Sequence, residues 1–413
     1  MLVGGNSALA LVLALLPLSA SATTIELTRQ RHAKRVDGSC DLDLLNAEIS
    51  HLAVKYERNR KNWRYNAFGE DPEAKSSRKK KRGTIALTTQ DVSVWTGKVT
   101  IGTPAQSFNI YFDSGSSDFT VASTNCPTTS CGTKDRYNVA ASSTQQTTTT
   151  TVSTSFVDGT TSKGTLIRDT VSCAGVTVTS QSVIAASSLS STVSSLESDG
   201  MGLAYPALSQ AFSNSFPFTA YAQGQGSLPS VFGLNLKSQG TSQLTFGGYN
   251  RARIAGNPRW YNVKLEDTAS FRTYWQIGAS APFVNGAQAI ATRVNHILDS
   301  GTTLIVAPPS AAAEFWAKVP GAKVYNSYYW TFPCDSPPQV SFSFARITLQ
   351  MYDVSDYDFS LGYLSEDSSR CVGSVIGQNL GLGTSWLLGD AFMTNWYVIH
   401  DVAKNLIGLG VPR

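Results

Sequence analysis

Two aspartates stand in nearly identical surroundings far apart along the chain. Asp113 lies within residues 112–117 and Asp299 within residues 298–303. Each follows an apolar run typical of a buried strand and precedes a Ser-Gly pair typical of the turn that ends a strand. A single Asp-Ser-Gly turn is commonly only a turn cap, but two in matching contexts, 186 residues apart (299 minus 113), indicate a duplicated half-structure. Such a duplication predicts that the two carboxylates face each other.

Two facing carboxylates can perform acid–base chemistry together. Like charges about 3 Å apart cannot both ionise, so the pair shares one proton. The ionised carboxylate can take a proton from a water molecule, while the protonated one donates to a carbonyl oxygen. The pattern therefore predicts hydrolysis by an activated water.

A serine nucleophile or a metal is less well supported by the sequence. There is no G-x-S-x-G run of the kind that carries a serine nucleophile. His296 lies three residues before Asp299 in a strand-like run, where packing is the simpler interpretation. Only His296 and His400 occur after residue 82, and no paired CxxC motifs are present, so neither a metal site nor a cofactor is predicted.

The elements that must position the aspartates are predicted to be mainly β. The chain has 413 residues, 42% hydrophobic and 15% charged, which is ample for a large core in two lobes. Strand-like runs alternate with turns from Trp95 onward, and the Thr-rich residues 145–154 are predicted as exposed strand or loop. Helices are predicted only at 310–318 and at 207–212.

Internal similarity extends beyond the aspartates themselves. Residues 200–204 and 386–390 are both apolar runs around a glycine, and they are predicted to pack beneath the two aspartate loops. The boundary between the lobes is placed near residues 256–259.

The front of the chain differs in charge from the rest. Residues 1–82 hold 15 of the 33 basic and 9 of the 29 acidic residues, a balance of +6, whereas residues 83–413 hold 18 and 20, a balance of −2. The body of the chain has no basic stripe, so nucleic-acid binding is not expected.

The first 22 residues have the pattern of a secretory signal. An apolar run from Ala8 to Leu18 is followed by small residues up to Ala22, and the run is too short to span a bilayer. No later segment is apolar enough to span one either, so we expect a secreted, extracellular protein without a membrane partner. Residues 23–82 are interpreted as a propeptide that ends in a basic cluster, with cleavage after Lys81-Arg82 and a mature start near Gly83.

Together these features resemble the pepsin-like aspartic proteases, especially the secreted fungal members. The similarity covers about residues 83–413, and the front segment fits the signal peptide and propeptide of that family. Its motifs are residues 101–104, the two Asp-Ser-Gly runs, 199–203, 246–248, 274–276 and 388–390.

The resemblance implies a mainly β, bilobal pepsin-like acid protease fold. Two pseudo-two-fold-related, β-barrel-like lobes would enclose a cleft, with residues 83–257 forming the N-terminal lobe and residues 258–413 the C-terminal lobe. Asp113 and Asp299 would be the catalytic pair that activates a shared water.

The resemblance also assigns supporting roles around this pair. The supporting positions lie beside the aspartates on the two loops: Ser114, Gly115, Ser116, Ser300, Gly301 and Thr302. Ser114 and Ser300, where the family most often has Thr, would tie the loops together beneath the aspartates. Ser116 and Thr302 would hydrogen-bond the outer carboxylate oxygens.

The family covers its cleft with a β-hairpin flap, and this chain departs from the usual pattern there. Aligning Asp158 and Gly159 places Phe156 where the family usually has Tyr, and Thr120 falls where it often has Trp. Both partners of the usual hydrogen bond are missing, which avoids the cost of about 1–3 kcal/mol for a buried orphan group. We expect a flap held by apolar contact, with Thr303 and the amides of residues 158 and 159 binding substrate; a one-residue misalignment at Phe156 is the alternative.

Lys55-Tyr56 resembles the Lys-Tyr pair that the family's propeptide inserts over the aspartates. The ammonium would pair with the carboxylates at neutral pH and be released at acid pH, when the carboxylates gain protons. An ordinary surface lysine is the alternative.

A secreted chain permits disulfides. Cys126 and Cys131 can staple a short loop, Cys334 and Cys371 can close a longer one, and Cys173 would be left over as a buried thiol.

The predicted function is that of a secreted, monomeric aspartic endopeptidase made as a zymogen. It would cleave polypeptides between hydrophobic residues at acidic pH and be blocked by pepstatin-type inhibitors. The alternative is a catalytically weak or inactive pepsin-like binding or inhibitor protein, because a fold alone does not establish activity. A structural cell-wall protein would need Ser/Thr-rich repeats or an anchor, and the Thr run at 147–151 is too short for that.

Overall fold

The structure is a computed structural model that describes nine stretches of the chain. These are residues 23–30, 33–69, 94–155, 161–189, 199–210, 214–224, 230–265, 271–344 and 351–413. The predicted signal peptide 1–22 and the predicted processing site Lys81-Arg82 lie outside the described residues.

Strands dominate the described residues. The strands up to residue 262 are β1 (Thr23–Gln30), β2 (Val94–Ile101), β3 (Gln106–Asp113), β4 (Phe119–Ala122), β5 (Gln146–Ser155), β6 (Thr161–Cys173), β7 (Val176–Ser188), β8 (Asp199–Gly202), β9 (Val231–Asn235), β10 (Ser242–Phe246) and β11 (Ile254–Asn262). The later strands are β12 (Gln276–Val284), β13 (Ala287–Gln288), β14 (Val294–Leu298), β15 (Ile305–Ala307), β16 (Lys323–Val324), β17 (Trp330–Pro333), β18 (Val340–Ser343), β19 (Met351–Val354), β20 (Ser360–Leu364), β21 (Asp367–Gly373), β22 (Val375–Gly377), β23 (Trp386–Leu388), β24 (Tyr397–Asp401) and β25 (Leu406–Pro412). The predicted mainly β fold class is confirmed.

Three sheets organise these strands. The largest has 13 strands in the order β11-β25-β24-β9-β10-β1-β2-β3-β8-β4-β7-β6-β5. The second has eight strands and contains β14, β15, β22 and β23 around the second aspartate, and the third has the order β16-β17-β21-β20. The suggested lobe boundary at 256–259 lies within β11, which pairs antiparallel with β25.

The front segment is part of the large sheet. Its strand β1 is antiparallel to β10 on one side and to β2 on the other, with Ile25 opposite Leu244 and Thr28 opposite Thr96. Leu27 lies in the main hydrophobic core with residues from both halves of the chain. Residues 23–30 therefore complete the sheet on which Asp113 is carried.

The helices differ from the sequence prediction in one major respect. They are α1 (Leu42–Phe68), α2 (Thr128–Cys131), α3 (Phe216–Gln223), α4 (Pro309–Trp316), α5 (Asp356–Phe359) and α6 (Asp390–Met393). Helix α4 agrees with the prediction at 310–318. Of the helix predicted at 207–212, residues 211 and 212 lie outside the described residues, and the described part contains a short 3₁₀ turn at Pro206–Leu208. The 27-residue α1 was not predicted. Within the described part of the chain, no helix is both long and apolar enough to cross a membrane.

Local chemistry explains where α1 begins and ends. The Asp41 carboxylate accepts the amide of Leu44 at 3.2 Å, an N-cap bond, and Gly69 ends the helix with a φ of 65°. Between these ends, Leu45, Ile49 and Leu52 recur at a spacing that places them on one buried face. This face packs in a hydrophobic cluster with side chains of the second half of the chain, namely Leu304, Ile376 and Leu387.

The two aspartate loops share one topology. Strand β3 runs parallel to β8 with Asp113 opposite Gly202, and β14 runs parallel to β23 with Leu298 opposite Leu388. A Cβ on Gly202 would lie 2.5 Å from the carbonyl oxygen of Ser116, and one on Gly389 would lie 2.2 Å from that of Thr302. The predicted packing of both apolar glycine runs against the aspartate loops is confirmed.

Both expected disulfides are present. Cys126 pairs with Cys131 and Cys334 pairs with Cys371, with Cα atoms 6.0 Å and 5.0 Å apart. Cys173 is buried and unpaired, as is Cys40 in the front segment.

We predict that Gly389→Ala destabilises the fold, because the new methyl would press on two backbone carbonyl oxygens, those of Thr302 and Leu304. The expected loss is about 1–3 kcal/mol of unfolding free energy, measured by urea denaturation. Gly278→Ala is the matched control, since the atoms nearest to its Cβ would be side-chain atoms of Lys264 and Asn295, at 3.2 Å and 3.4 Å, and not backbone carbonyl oxygens. Equal unfolding midpoints for the two variants would contradict this close packing.

Candidate active site

Asp113 and Asp299 are buried, and their loops hold them in the same way. The amide of Gly115 donates to Asp113 at 2.8 Å, and the amide of Gly301 donates to Asp299 at 3.0 Å. Two hydroxyls donate to the outer carboxylate oxygens, that of Ser116 to Asp113 at 2.6 Å and that of Thr302 to Asp299. Each carboxylate therefore has a fixed orientation.

The two carboxylates are brought together across the glycines of the opposite loops. A Cβ on Gly115 would lie 2.4 Å from Cγ of Asp299, and a Cβ on Gly301 would lie 2.3 Å from Oδ1 of Asp113. Any side chain at either glycine would occupy the space of a carboxylate. Gly115 and Gly301 thus allow the face-to-face arrangement that the sequence predicts.

Ser114 and Ser300 join the two loops through four buried hydrogen bonds. The Ser300 hydroxyl accepts the Ser114 amide at 3.0 Å and donates to the carbonyl of Phe112 at 2.9 Å. The Ser114 hydroxyl accepts the Ser300 amide at 2.9 Å and donates to the carbonyl of Leu298 at 3.1 Å. Serine supplies the donor and the acceptor that this network requires, so the methyl group of threonine is not needed for it.

Lys55 of α1 occupies the space between the aspartates. Its ammonium lies 2.7 Å from Oδ1 of Asp113 and 2.9 and 2.8 Å from the two oxygens of Asp299. The neighbouring Tyr56 hydroxyl donates to Asp299 at 2.7 Å. Lys55 is 2% exposed, so it is not a surface lysine.

Further contacts along α1 fix the helix over the site. Asn59 donates to the carbonyl of Gly115 at 2.7 Å, and Glu48 accepts the amide of Thr303 at 2.8 Å. Sequence reasoning missed both Glu48 and Asn59. Their spacing of 7 and 4 residues from Lys55 places them on the same helical face, but that signal is informative only once α1 is recognised as a helix.

The two aspartates have opposite pKa shifts. Burial acts to raise the pKa of Asp113, but the Lys55 ammonium and the hydrogen bonds to the carboxylate hold it below its usual value. At Asp299, burial and the negative charge of Asp113 outweigh Lys55, and the pKa is raised. Burial also acts to lower the pKa of Lys55, but the two carboxylates raise it overall, so the ammonium stays charged.

Glu48 is a further buried carboxyl group next to the pair. Its Oε2 atom has no hydrogen-bond partner, and burial raises its pKa to about 8. Docking of α1 therefore favours the protonated form of Glu48 at neutral pH.

The remaining candidate residues from the sequence are His296 and the flap positions. His296 is buried among aromatic rings and contacts the Ser280 hydroxyl, in agreement with a packing role. The flap positions Phe156, Asp158 and Gly159 lie outside the described residues. In the described part of the chain, no group of three or more His, Cys, Asp and Glu side chains is arranged to hold a metal ion.

The chain is similar in sequence to known aspartyl proteases. The family model of eukaryotic aspartyl proteases matches residues 94–411. An aspartic protease of Phaffia rhodozyma is 35% identical over 80% of this chain and 79% of its own length. Major aspartyl peptidase 1 of Cryptococcus neoformans is 28% identical over 81% of this chain and 72% of its own, and pepsin A of Canis lupus familiaris is 31% identical over 76% and 80%.

We predict that Glu48→Gln makes the docked front segment less sensitive to pH. The docked pKa of about 8 lies above the ordinary 4.5, so the contribution of Glu48 is complete below about pH 4.5 and is lost as the pH rises through 8. Gln keeps an oxygen for the Thr303 amide and does not titrate. The unfolding free energy is measured with urea across this pH range. Relative to the wild type, that of the variant should increase as the pH rises. A difference in unfolding free energy that does not change with pH would contradict the raised pKa of Glu48.

Proposed function

This chain belongs to the eukaryotic aspartyl protease family, and from that premise we propose that it is the zymogen of a secreted endopeptidase. Members of this family are aspartic-type endopeptidases that hydrolyse polypeptides. The proposal adds that residues 1–22 direct export, that residues 23–82 keep the enzyme inactive, and that cleavage after Lys81-Arg82 leads to the active form. The lobes 83–257 and 258–413 would then form the mature enzyme.

The observation that carries the proposal is the contact of Lys55 with both aspartates. Its ammonium fills the point between the carboxylates where the attacking water has to bind. A cation in this place neutralises the pair, and the rest of α1 covers the cleft. While the front segment is docked in this way, the catalytic pair cannot bind water or substrate.

In the proposed reaction the two carboxylates act as general base and general acid. Once Lys55 has left, the two carboxylates share one proton, and the ionised carboxylate takes a proton from the bound water as the water oxygen attacks the peptide carbonyl carbon. The protonated carboxylate donates its proton to the carbonyl oxygen. The resulting tetrahedral intermediate collapses with proton transfer to the leaving nitrogen, and no covalent bond to the enzyme is formed.

The cleft beside Asp113 has apolar walls. Val152, Ile184 and Leu189 line the space next to the carboxylate. These walls support the proposed preference for hydrophobic residues at the cleaved bond, with the substrate extended along the cleft and bound through its backbone.

Acid should release the front segment in the proposed activation. The docked pKa of Asp113 is lowered, so its pairing with Lys55 is present above the ordinary aspartate pKa and is lost as the pH falls through the docked value. This loss acts in the opposite direction to Glu48, whose protonation favours docking. Both groups therefore contribute, with opposite signs, to the pH dependence of α1 release.

We expect protein recovered from the culture medium to begin near Gly83 by mass spectrometry and to cleave denatured haemoglobin between about pH 3 and 5. Pepstatin and the Asp113→Asn substitution should each abolish cleavage, because the first occupies the pair and the second removes one of its two carboxylates. Correctly processed, folded protein without activity would favour the alternative of a pepsin-like binding or inhibitor protein.

Replacing Lys55 by Met should allow proteolytic activity to appear at a higher pH than in the wild type. Met keeps most of the apolar stem but removes the cation from the carboxylate pair, so α1 should leave at a higher pH than in the wild type. Lys61→Met is the matched control on the same helix, since Lys61 pairs only with Glu57 at 3.5 Å. Activation of full-length protein is followed with a quenched peptide at stepped pH. Equal activation of the two variants would contradict the inhibitory role of Lys55.

A further inference from the structure

A cavity of about 60 Å³ remains between α1 and the large sheet, directly beside Asp113. One wall is apolar, formed by side chains such as Val152 and Ile184. The remainder is polar, formed by Tyr111, Asp118 and Thr120 of the aspartate loop and its two flanking strands, among others. A cavity that binds only apolar side chains would not need this polar part of its wall.

The floor of the cavity is a row of three residues across neighbouring strands. Gly200 of β8 is paired with Tyr111 of β3 on one side and with Thr120 of β4 on the other. A Cβ on Gly200 would lie 2.3 Å from Cζ and 2.5 Å from the hydroxyl oxygen of Tyr111. The phenol ring therefore lies across the glycine. Its hydroxyl has no hydrogen-bond partner among the described residues and is free to bind a ligand group.

Asp118 supplies negative charge to the same cavity. Its carboxylate accepts the Ser209 hydroxyl at 2.7 Å and the Gln210 amide at 3.0 and 3.1 Å, which fixes its orientation. In the described part of the chain no Lys or Arg nitrogen forms an ion pair with it. The other two acidic groups of the cavity differ. Asp113 is paired with Lys55, and Asp199 has Lys134 3.9 Å away and accepts the Ala122 amide at 2.9 Å. Asp118 is thus the carboxylate of this cavity that lacks a cation of its own.

Helix α1 places a cation in the cavity in the present form. Arg58, three residues after Lys55, lines it, and the Nε atom of Arg58 is buried without a hydrogen-bond partner. Burial raises the pKa of Asp118, and the charge of Arg58 is the largest effect that opposes this rise. When α1 leaves, Arg58 leaves with it. Of the body's lysines near the cavity, Lys134 is already paired and Lys163 is exposed.

We propose that in the processed enzyme this cavity is a substrate subsite for a Lys or Arg side chain, bound by the Asp118 carboxylate and the Tyr111 hydroxyl. The inference rests on the proposed peptidase function and revises one part of it, because one position near the cleaved bond would accept a basic side chain in place of a purely hydrophobic one. The apolar stem of the substrate side chain packs on Val152 and Ile184, while its charged end reaches the polar floor. Arg58 holds this place in the zymogen, as Lys55 holds the place of the water.

The test uses the processed enzyme and one fluorogenic peptide sequence. Each position flanking the cleaved bond carries in turn Arg, Lys or the uncharged norleucine, and the peptides are assayed at the upper end of the active pH range because burial raises the pKa of Asp118. At one position we expect kcat/KM for Arg and Lys to exceed that for norleucine roughly five- to tenfold, the effect of one charge-assisted contact. The advantage should shrink toward about pH 3.5, because protonation removes the charge of Asp118.

Three variants test which residue of the cavity causes the preference for Arg and Lys. Asp118→Asn keeps an oxygen for Ser209 and Gln210 but loses the charge, so the ratio of kcat/KM for Arg or Lys peptides to that for norleucine peptides should fall to about one. Tyr111→Phe keeps the ring across Gly200 and should lose part of the preference. Asp199→Asn is the matched control in the same cavity and should retain it.

The outcomes separate the subsite from the peptidase function. Cleavage of norleucine peptides with no gain for Arg or Lys at any position would overturn the subsite and leave the function standing. A gain that survives Asp118→Asn, or that is lost only in Asp199→Asn, would also overturn it. If the processed protein cleaves no peptide and no denatured haemoglobin, the proposed function fails and the subsite fails with it.

Discussion

Two carboxylates buried face to face are the constraint on which the rest of this structure depends. Burial acts to raise the pKa of Asp113 and of Asp299, and their like charges disfavour simultaneous ionisation. The site can hold two negative charges only if a cation is added, and Lys55 supplies one at 2.7–2.9 Å from three carboxylate oxygens. Without that cation the pair has to share a proton, which is the state that general acid–base catalysis requires. The same electrostatic constraint thus accounts for the proposed inhibited and active states.

This arrangement is held by backbone geometry more than by side-chain packing. Gly115 and Gly301 leave the space that the opposite carboxylates occupy, and Gly202 and Gly389 let the supporting strands approach the loops. The serine pair then locks the loops to each other with reciprocal hydrogen bonds. Because the contacts of Gly115 and Gly301 with the opposite carboxylates and the bonds of the serine pair span the two halves of the chain, the relative position of the halves determines the distance between the carboxylates. Small displacements of reacting groups are costly in catalysis, so such redundancy is functionally reasonable.

The front segment is bound to the body by more than the lysine. Strand β1 lies between β10 and β2 in the large sheet, and the apolar face of α1 shares a core with Leu304, Ile376 and Leu387. Departure of residues 23–69 therefore exposes two strand edges as well as the catalytic pair, and exposed edges favour new pairing. Release consequently has to include a rearrangement of the sheet, and titration of the carboxylates alone does not describe it. The opposing pH responses of Asp113 and Glu48 belong to this larger equilibrium.

The sequence by itself determined the mainly β class, the hypothesis that Asp113 pairs with Asp299, and the cysteine pairs. These features can be recognised from short motifs and turn residues, whose effect on the backbone extends over a few neighbouring residues. It did not reveal α1, since the caps at Asp41 and Gly69 lie in a charged segment with a weak apolar pattern. Nor did it reveal Glu48, Asn59 or the row formed by Tyr111, Gly200 and Thr120. These residues are distant along the chain and acquire their partners only when helix and sheet pack together. Only the tertiary structure determines the roles of these residues, because their burial and their contacts with charged groups depend on the environment that the whole fold provides.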